Sequence, residues 1–486
     1  MKRPSGLLTL LAVAAIVTGW AARPSLLPPG LAGAAGRVTS CWSVRSVMAA
    51  PNSEYSAKIE QTQYRKWNAY KLSNGLVALF VAPEIGGRAI QLQLGDHEFF
   101  FVNKALEGKV LPESENNPKA GWANYGGDKA WPGPEGYLND DEWASVPYYI
   151  LDGAPYQSEV VTNTPAEVAV RVTSPQDPRT GVQISRTFHV YADTTRIKVD
   201  QVMRNISRRQ IRWGLWHLIQ NDAADANDPS KPNPELYMYI PLNPHSKYPE
   251  GYYKPLGDAR HPSYEILPGA RMLRVHYRYK VCKAAADSSA GWFAVVNGQK
   301  NIGLVENFKY FPDQDYPDGA SVETWNDGPG TISRGPFDQV LADDPKQTPY
   351  FLESEGMSPY AQLDPGEEYS HPIYWSPTRV PDPVASDPTS GGVVSEPLTG
   401  KLNGTTVTLK GTFGVFTPGT LQADFFSPMN EELGQVTLQP VDPREVVRLD
   451  KTVPCPANAY RVSLSARDRD GENRGFLGNF ILRPRW

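Results

Sequence analysis

Residues 182–205 read VQISRTFHVYADTTRIKVDQVMRN, and this stretch decides the fold class. It contains two runs rich in β-branched and aromatic residues, 182–191 and 196–205, and apolar and polar residues alternate from Ile197 to Asp200. Alternation with a period of two is typical of a strand with one buried face. The stretch therefore predicts strands rather than helices.

Similar short runs, bounded by Gly, Pro, Asn and Asp, lie outside this stretch. They start near residue 70 and include 75–83, 88–94, 98–102 and 167–172. No window has the sustained 3.6-residue apolar period that is typical of a helix. We therefore predict an all-β protein.

A proline-rich segment divides the chain. Five prolines fall among Ser, Thr, Asp and Gly between residues 376 and 397, a composition that predicts a linker over 377–399. Further strand-like runs follow at 406–412, 421–426, 435–439, 459–466 and 475–482. We predict a large β domain over 51–376 and a small β-sandwich of immunoglobulin-like type over 400–486.

The composition limits the classes of function. The chain has 486 residues, of which 40% are hydrophobic and 21% charged, which is typical of a globular protein. Its net charge of −5 and the lack of a basic run argue against a nucleic-acid partner. The 12 Trp and 24 Tyr suit both a core and the faces on which sugars stack, so a carbohydrate ligand is compatible with the sequence.

The N-terminus has the pattern of a secretory signal. Lys2 and Arg3 precede an apolar run at 7–22, so we predict a signal peptide and leader over 1–50 and a secreted or periplasmic protein without a membrane-spanning region after processing. Two alternatives stay open. The run could persist as an anchor helix, although it is shorter than the ~20 residues that a span needs, or Cys41 could be lipidated, because residues 38–41 resemble a lipoprotein box.

Metal and disulfide signals are weak. Cys282 and Cys455 remain after loss of the leader, and both a disulfide between them and two separate buried thiols fit the sequence. No zinc-type spacing occurs. The acidic segment DQDYPDG at 313–319 does not have the EF-hand spacing, so we interpret it as a surface turn. We predict no metal and no cofactor.

Three motifs of the large domain belong together. They are YGGDKAWP at 125–132 after GWAN at 121–124, RNIS at 204–207 followed by WGLWH at 213–217, and LESE at 352–355 followed by LDPGE at 363–367. In order and spacing they resemble the aldose epimerase (galactose mutarotase) superfamily, and more closely a secreted branch with a Tyr-Gly-Gly-Asp-Lys-x-Trp-Pro signature. The resemblance implies a large mutarotase-like β-sandwich and a saccharide ligand.

The resemblance also implies an acid–base pair. His217 and Glu353 match the family's catalytic His and Glu, so Glu353 would take the proton of the anomeric hydroxyl and His217 would protonate the ring oxygen. An imidazole and a carboxylate can be tuned for these roles near neutral pH. Each residue has a structural alternative, because His217 also fits a hydrogen-bonded core position and Glu353 a salt-bridged strand position.

Five further residues are candidates for sugar contacts. The indoles of Trp122 and Trp131 could pack on a pyranose, and Lys129 could hold a hydroxyl or a carboxylate. Tyr125 stands where mutarotases have a sugar-contacting His, and Arg88 follows two glycines. Alternatively, the tryptophans fill the core and Lys129 extends to water.

Glu355 is the last substrate-binding candidate. On a strand it shares a face with Glu353, ~6.6 Å away along the chain. A pair of carboxylates also suits glycoside hydrolysis, where their separation sets the stereochemistry.

Three functional hypotheses follow. The first is a sugar epimerase that uses Glu353 and His217. A relative of polysaccharide hydrolases or lyases is an alternative enzyme. The second is a carbohydrate-binding protein without turnover, favoured by Tyr125 in place of the family's His. The third is an envelope scaffold. A cleft that contains both His217 and Glu353 favours the first hypothesis, a tryptophan-lined cleft without that pair favours the second, and the lack of a cleft favours the third.

Overall fold

The structure is a computed structural model that describes residues 54–117, 119–136, 143–144, 147–256, 261–334, 337–384 and 386–483. All of them belong to one compact unit. The predicted leader over 1–50, its apolar run and Cys41 lie outside the described residues.

The described chain up to residue 379 consists almost entirely of strands. They are β1 (Lys58–Tyr64), β2 (Trp67–Ser73), β3 (Val77–Ala82), β4 (Arg88–Leu94), β5 (His97–Glu98), β6 (Asp128–Gly133), β7 (Glu135–Gly136), β8 (Trp143–Ala144), β9 (Gln157–Asn163), β10 (Glu167–Thr173), β11 (Val182–Tyr191), β12 (Ile197–Asn205), β13 (Ile211–Asp222), β14 (Leu236–Pro241), β15 (Tyr252–Leu256), β16 (Tyr264–Leu267), β17 (Met272–His276), β18 (Cys282–Ala286), β19 (Trp292–Asn297), β20 (Ile302–Phe308), β21 (Val322–Asn326), β22 (Gly330–Arg334), β23 (Phe337–Leu341), β24 (Phe351–Met357), β25 (Ala361–Leu363), β26 (Glu368–Ser370) and β27 (Ile373–Arg379).

Helices are few and short in the described residues. They are the α-helix α1 (Tyr149–Asp152) and the 3₁₀ turns Pro83–Ile85, Lys104–Leu106, Glu113–Glu115 and Pro317–Gly319. None of these helices is long and apolar enough to span a membrane.

Two large antiparallel sheets face each other across one core. The first has the order β16-β17-β14-β19-β20-β27-β12-β11-β10-β9, with β26 beside β12, and the second has the order β15-β18-β21-β24-β13-β25, with β6 beside β13. A five-stranded sheet, β1 to β5, contributes to the same core. Alternation places Phe188 and Val190 of β11 and Ile197 and Val199 of β12 in this core, as the opening stretch predicts.

The C-terminal part is a second, smaller sandwich. Its strands are β28 (Gly392–Asn403), β29 (Thr406–Val415), β30 (Gly419–Phe426), β31 (Glu432–Val441), β32 (Val447–Pro454), β33 (Arg461–Arg467) and β34 (Asn473–Ile481). They form the sheets β28-β29-β32 and β31-β30-β33-β34 around a core of their own. The predicted all-β class, with a large and a small sandwich, is confirmed.

The junction differs from the predicted linker over 377–399. β27 continues to Arg379 inside the large sheet, where it pairs with β20, and β28 already begins at Gly392. Val380, Val384 and Val393 are buried in a cluster to which both sandwiches contribute. Pro377 therefore lies in β27 and Pro397 in β28, and the connection between these strands is packed because its apolar residues find a partner surface.

Cys282 and Cys455 are separate, buried thiols. Burial raises the pKa of Cys282 to about 11, so its thiol stays protonated. Of the two alternatives that the sequence leaves open, the disulfide is wrong.

Candidate functional site

Strand pairing places a set of polar and aromatic side chains on one face of the second large sheet. Residues that pair directly in antiparallel strands share a face. The ladders pair Trp131 with Trp216, Lys129 with Leu218, Gln220 with Glu353, Glu353 with Trp325, Glu355 with Glu323, and Trp325 with Lys283. Five neighbouring strands thus contribute to one surface.

The opposite face of these strands is the interior. Ile219, Leu352, Val322 and Ala284 alternate with the residues of the polar face and are buried in the main core. The apolar face therefore fixes which side chains point away from the core.

The polar face is the floor of a cleft with a volume of about 1330 Å³. Trp122, Trp131, Trp216 and Trp325 line it together with Glu353, and so do Glu135, Lys283, Asn124 and Asp327. Residues of the β22–β23 hairpin, Ile332, Gln339 and Leu341, line it as well. Among the tryptophans that the structure describes, Trp122 and Trp325 alone are half-buried, and both lie in this cleft.

Three tryptophans form one aromatic wall. The ring centroids of Trp131 lie 6.2 Å from Trp122 and 5.4 Å from Trp216. The Nε1 of Trp122 donates to Asp152 at 2.8 Å, which fixes the plane of this indole. The Nε1 of Trp131 has no hydrogen-bond partner among the described residues. The wall thus combines apolar ring faces with a buried indole N–H that has no partner among the described residues.

Lys129 lies inside this wall. Its Nζ is 4.3 Å from the centre of the Trp122 ring and 5.4 Å from that of Trp131, and it donates to Asn124 Oδ1 at 3.1 Å. Burial lowers the pKa of Lys129 to about 7, against the attraction of the nearby Glu353. The aromatic ring faces favour the ammonium form of Lys129, whereas burial favours the neutral amine.

Glu353 is the carboxylate of the floor. Its Oε1 accepts a hydrogen bond of 2.7 Å from Gln220 Nε2. Burial raises the pKa of Glu353, and Lys129 and the Gln220 bond act in the opposite direction. Glu353, which the motifs predicted as a site residue, lines the cleft in the structure.

A second ionic cluster supports the floor from one side. Lys283 Nζ lies 2.8 Å from both Glu323 and Glu355 and 3.5 Å from Glu135. Glu355 also accepts from the Nε1 of Trp216 at 2.9 Å, which orients this ring. The three carboxylates raise the pKa of Lys283 well above its usual range, so it remains charged despite burial.

The structure does not bring His217 to the cleft. In β13 it alternates with Trp216 and points to the opposite face, where it is only 1% exposed. Its Nδ1 lies 3.0 Å from Oε1 of Glu306 in β20 of the facing sheet, and its ring lies 5.8 Å from that of Trp375. His217 therefore connects the two sheets inside the core, and Glu353 and His217 do not meet across a cleft.

We expect His217→Ala to reduce stability without a specific effect on the cleft. Loss of the imidazole leaves Glu306 buried with one partner fewer, which should lower the free energy of unfolding by about 1–3 kcal/mol. Chemical denaturation measures this change. Affinity for a cleft ligand should stay within about twofold, and a loss of affinity with unchanged stability would contradict this assignment.

Two predicted sugar contacts are structural instead. Arg88 is buried and donates to the carbonyl oxygens of Ile85 and Gly126 and to the Asp152 carboxylate. Tyr125 is buried as well, and its hydroxyl accepts from the backbone N–H of Leu111 at 3.0 Å. Neither lines the cleft. The structure therefore places Arg88 and Tyr125 away from the cleft in which a sugar would bind.

Contacts of the signature at 125–132 with neighbouring backbone position the residues of the aromatic wall. Gly126 has φ +93°, and a Cβ there would lie 2.1 Å from the carbonyl oxygen of Phe101. Asp128 accepts from the backbone N–H of Ala89 at 2.6 Å and forms a buried ion pair with Arg186. These contacts hold β6 so that alternate residues reach the cleft.

The other candidates divide between the cleft and its support. Trp122 and Trp131 line the cleft, and Lys129 lies directly behind them. Glu355 shares the face of Glu353, but it is fully buried against Trp216 and Lys283 and does not line the cleft.

Sequence reasoning missed several residues of the site. They are Trp216, Gln220, Lys283, Trp325 and Asp327. The even spacing of Trp216 and Gln220 within β13 was the available signal, because it places both on one face of a strand. No local signal marks the other three.

The acidic segment 313–319 lies elsewhere. Asp313 and Asp315 are exposed, Pro317–Gly319 is a 3₁₀ turn, and Tyr316 stacks on Tyr310 with ring centroids 5.5 Å apart. Among the residues with described positions, no group of three His, Cys, Asp or Glu side chains could hold a metal ion.

The fold and the cleft define an all-β sandwich protein with a tryptophan-lined, carboxylate-bearing site. A family model described as a domain of unknown function (DUF4380) matches residues 68–227. This span includes the signature and β13 and ends before Glu353. No curated protein sequence matches the chain.

Several solved structures have a similar fold. A galactose mutarotase-like protein from Clostridium acetobutylicum is 8% identical, with 67% of this chain and 99% of that chain covered and a TM-score of 0.41. One from Lactobacillus casei is 12% identical, with 66% and 99% covered and a TM-score of 0.38. A TPR-domain containing protein from Parabacteroides distasonis is 14% identical with a TM-score of 0.41; 65% of this chain is covered, and the match spans about half, 48%, of that protein. Because these TM-scores are low, the functional inference depends on the cleft residues themselves.

Proposed function

We propose that this protein binds a saccharide in the tryptophan-lined cleft. The observation that carries the proposal is that Trp122 and Trp325, the half-buried members of the described tryptophans, both line one cavity together with Glu353, whose carboxylate accepts a hydrogen bond from the buried Gln220. The C–H face of a pyranose packs on an indole ring, while carboxylate and amide groups bind hydroxyls. Apolar walls with a few polar groups are typical of small-molecule sites.

The sequence motifs support the same ligand class, because they resemble a superfamily that acts on sugars. The reaction of that superfamily is not supported in the form that the motifs imply, since His217 lies in the core. A tryptophan-lined cleft without the His217–Glu353 pair favours saccharide binding over an epimerase of that design. The presence of the cleft also counts against a pure scaffold.

A glycan array followed by calorimetric titration tests the proposal. The purified protein should retain at least one class of glycan, and Trp122→Ala should weaken that binding by about 1–3 kcal/mol, which is roughly 5- to 150-fold, because a half-buried ring face of the cleft is lost. Phe426→Ala is the control, since Phe426 is a half-buried aromatic residue of the small sandwich. Equal losses in both variants, or no retained glycan, would contradict the proposal.

A further inference from the structure

We infer that Asp327 and Glu353 form an acid–base pair that hydrolyses a glycosidic bond of an oligosaccharide held in the cleft. This inference rests on the proposed function and assigns the site a reaction and a substrate class. The acid in this pair, Asp327, lies in none of the three sequence motifs.

Strand register makes Asp327 and Glu353 close neighbours in the sheet. Trp325 of β21 pairs with Glu353 of β24, and Asp327 follows two residues later on the same face. The backbone N–H of Asp327 donates to the carbonyl oxygen of Phe351 at 3.1 Å, so the pairing continues beyond the end of β21. Asp327 and Glu353 are thus diagonal neighbours, and both line the cleft.

The backbone spacing is compatible with two-carboxylate hydrolysis. Diagonal neighbours in an antiparallel pair have Cα atoms ~7–8 Å apart. Inverting glycosidases keep their two carboxyl groups ~6.5–9.5 Å apart, which leaves room for a water molecule, whereas retaining enzymes keep them at ~5–5.5 Å. Side chains that extend from this Cα spacing can reach the wider separation, in which Glu353 acts as a water-activating base.

The surroundings favour protonation of Asp327 more strongly than protonation of Glu353. Burial raises the pKa of Asp327 well above its usual range; the Trp325 Nε1 donor at 3.4 Å opposes this shift, and the charge of Glu353 adds to it. Burial also raises the pKa of Glu353, but the nearby ammonium of Lys129 and a 2.7 Å hydrogen bond from Gln220 oppose this shift and favour the ionised form. Two carboxyls whose environments separate their protonation states define an acid and a base. Asp327 is the acid and Glu353 the base.

The size of the cleft indicates an oligosaccharide. Its volume of about 1330 Å³ exceeds the ~300–1,000 Å³ of ordinary small-molecule pockets. Trp325 and Trp131 lie three strands apart in the order β21-β24-β13-β6 and four residues apart in register. The aromatic residues therefore extend ~14 Å across and ~13 Å along the sheet, well beyond one sugar ring.

In the reaction, the Asp327 carboxyl gives its proton to the glycosidic oxygen as the bond from this oxygen to the anomeric carbon breaks. A water molecule attacks that carbon from the opposite side and gives its proton to Glu353. The products are two shorter sugars, one with a new reducing end of inverted configuration. Exchange with solvent returns the proton to Asp327 and removes it from Glu353, so no oxidant or cofactor is required.

The test uses the whole protein with tetrasaccharides of glucose, galactose, mannose or xylose, each labelled at the reducing end. Chromatography and mass spectrometry detect cleavage, and fluorescence anisotropy detects binding. We expect cleavage of at least one tetrasaccharide, and a loss of more than 100-fold in rate in both Glu353→Gln and Asp327→Asn with binding kept within about tenfold. These isosteric changes keep the shape of the site. Glu159→Gln is the matched control, because Glu159 lies on β9 outside the cleft and is paired with Arg171, and its rate should be unchanged.

Each alternative result overturns a specific statement. Binding without cleavage in the wild type overturns hydrolysis and leaves saccharide binding intact. Cleavage that survives in Asp327→Asn overturns the assignment of the acid, and survival in Glu353→Gln overturns that of the base. No binding of any tetrasaccharide, together with no retained glycan on the array, overturns the proposed function itself.

Discussion

Phe416→Ala should lower the free energy of unfolding by about 3–5 kcal/mol, the usual loss for a fully buried Phe. Phe416 is 0% exposed and packs with Tyr239, Trp292 and Val305 of the large sandwich. Its carbonyl oxygen also accepts from the backbone N–H of Thr195 at 2.8 Å. Because separate unfolding of either sandwich would expose this shared cluster, the wild type should unfold in one calorimetric transition.

Differential scanning calorimetry and denaturant titration measure both effects. Phe476→Ala is the matched control, since Phe476 belongs to the small sandwich but is 39% exposed, and its effect should stay below about 1 kcal/mol. Two well-separated transitions in the wild type, with only one of them moved by Phe416→Ala, would show that the sandwiches are independent and that the shared cluster contributes little.

Asp128→Ala should be comparably destabilising, by about 3–5 kcal/mol, because it leaves a buried cation without its partner. The guanidinium of Arg186 pairs with Asp128 inside the large sandwich, and both side chains are at most 2% exposed. The same carboxylate accepts from the backbone N–H of Ala89, so the variant also leaves this donor unpaired. Since Asp128 adjoins Lys129, the aromatic wall should loosen as well.

The denaturation midpoint measures this loss. An exposed ion pair of the small sandwich, Lys410 with Asp450, provides the control. Asp450→Ala should change stability by less than about 1 kcal/mol, because water screens exposed charges and solvates the remaining one. Similar effects of both variants would contradict the importance of the buried pair.

Much of the fold could be predicted from the sequence. Alternation in 182–205 predicted strands that the structure contains as β11 and β12, and the lack of a helical period predicted the all-β class. The proline-rich segment was less informative, because composition cannot show that Val384 and Val393 meet a partner surface. The local sequence indicates which secondary structure a segment prefers, but it does not indicate which residues pack against that segment.

Only part of the site could be predicted from the sequence. The motifs located Trp122, Trp131, Lys129 and Glu353 around one cleft. They misplaced His217, because β13 reads IRWGLWHLIQND and is apolar on both faces, so that alternation gives no sign of which residues face outward.

The sequence by itself therefore determined the strands, the two sandwiches and the segments that surround the cleft, since these depend on local periodicity and short motifs. Only the tertiary structure decided which face of each strand is open and which distant residues meet there. Asp327 becomes a neighbour of Glu353 through the register of β21 on β24, and Glu306 becomes the partner of His217 through the packing of two sheets. The physical reason is that a shift of one residue in register moves every side chain of a strand to the other face, and this choice is made by partners that lie far away in the chain.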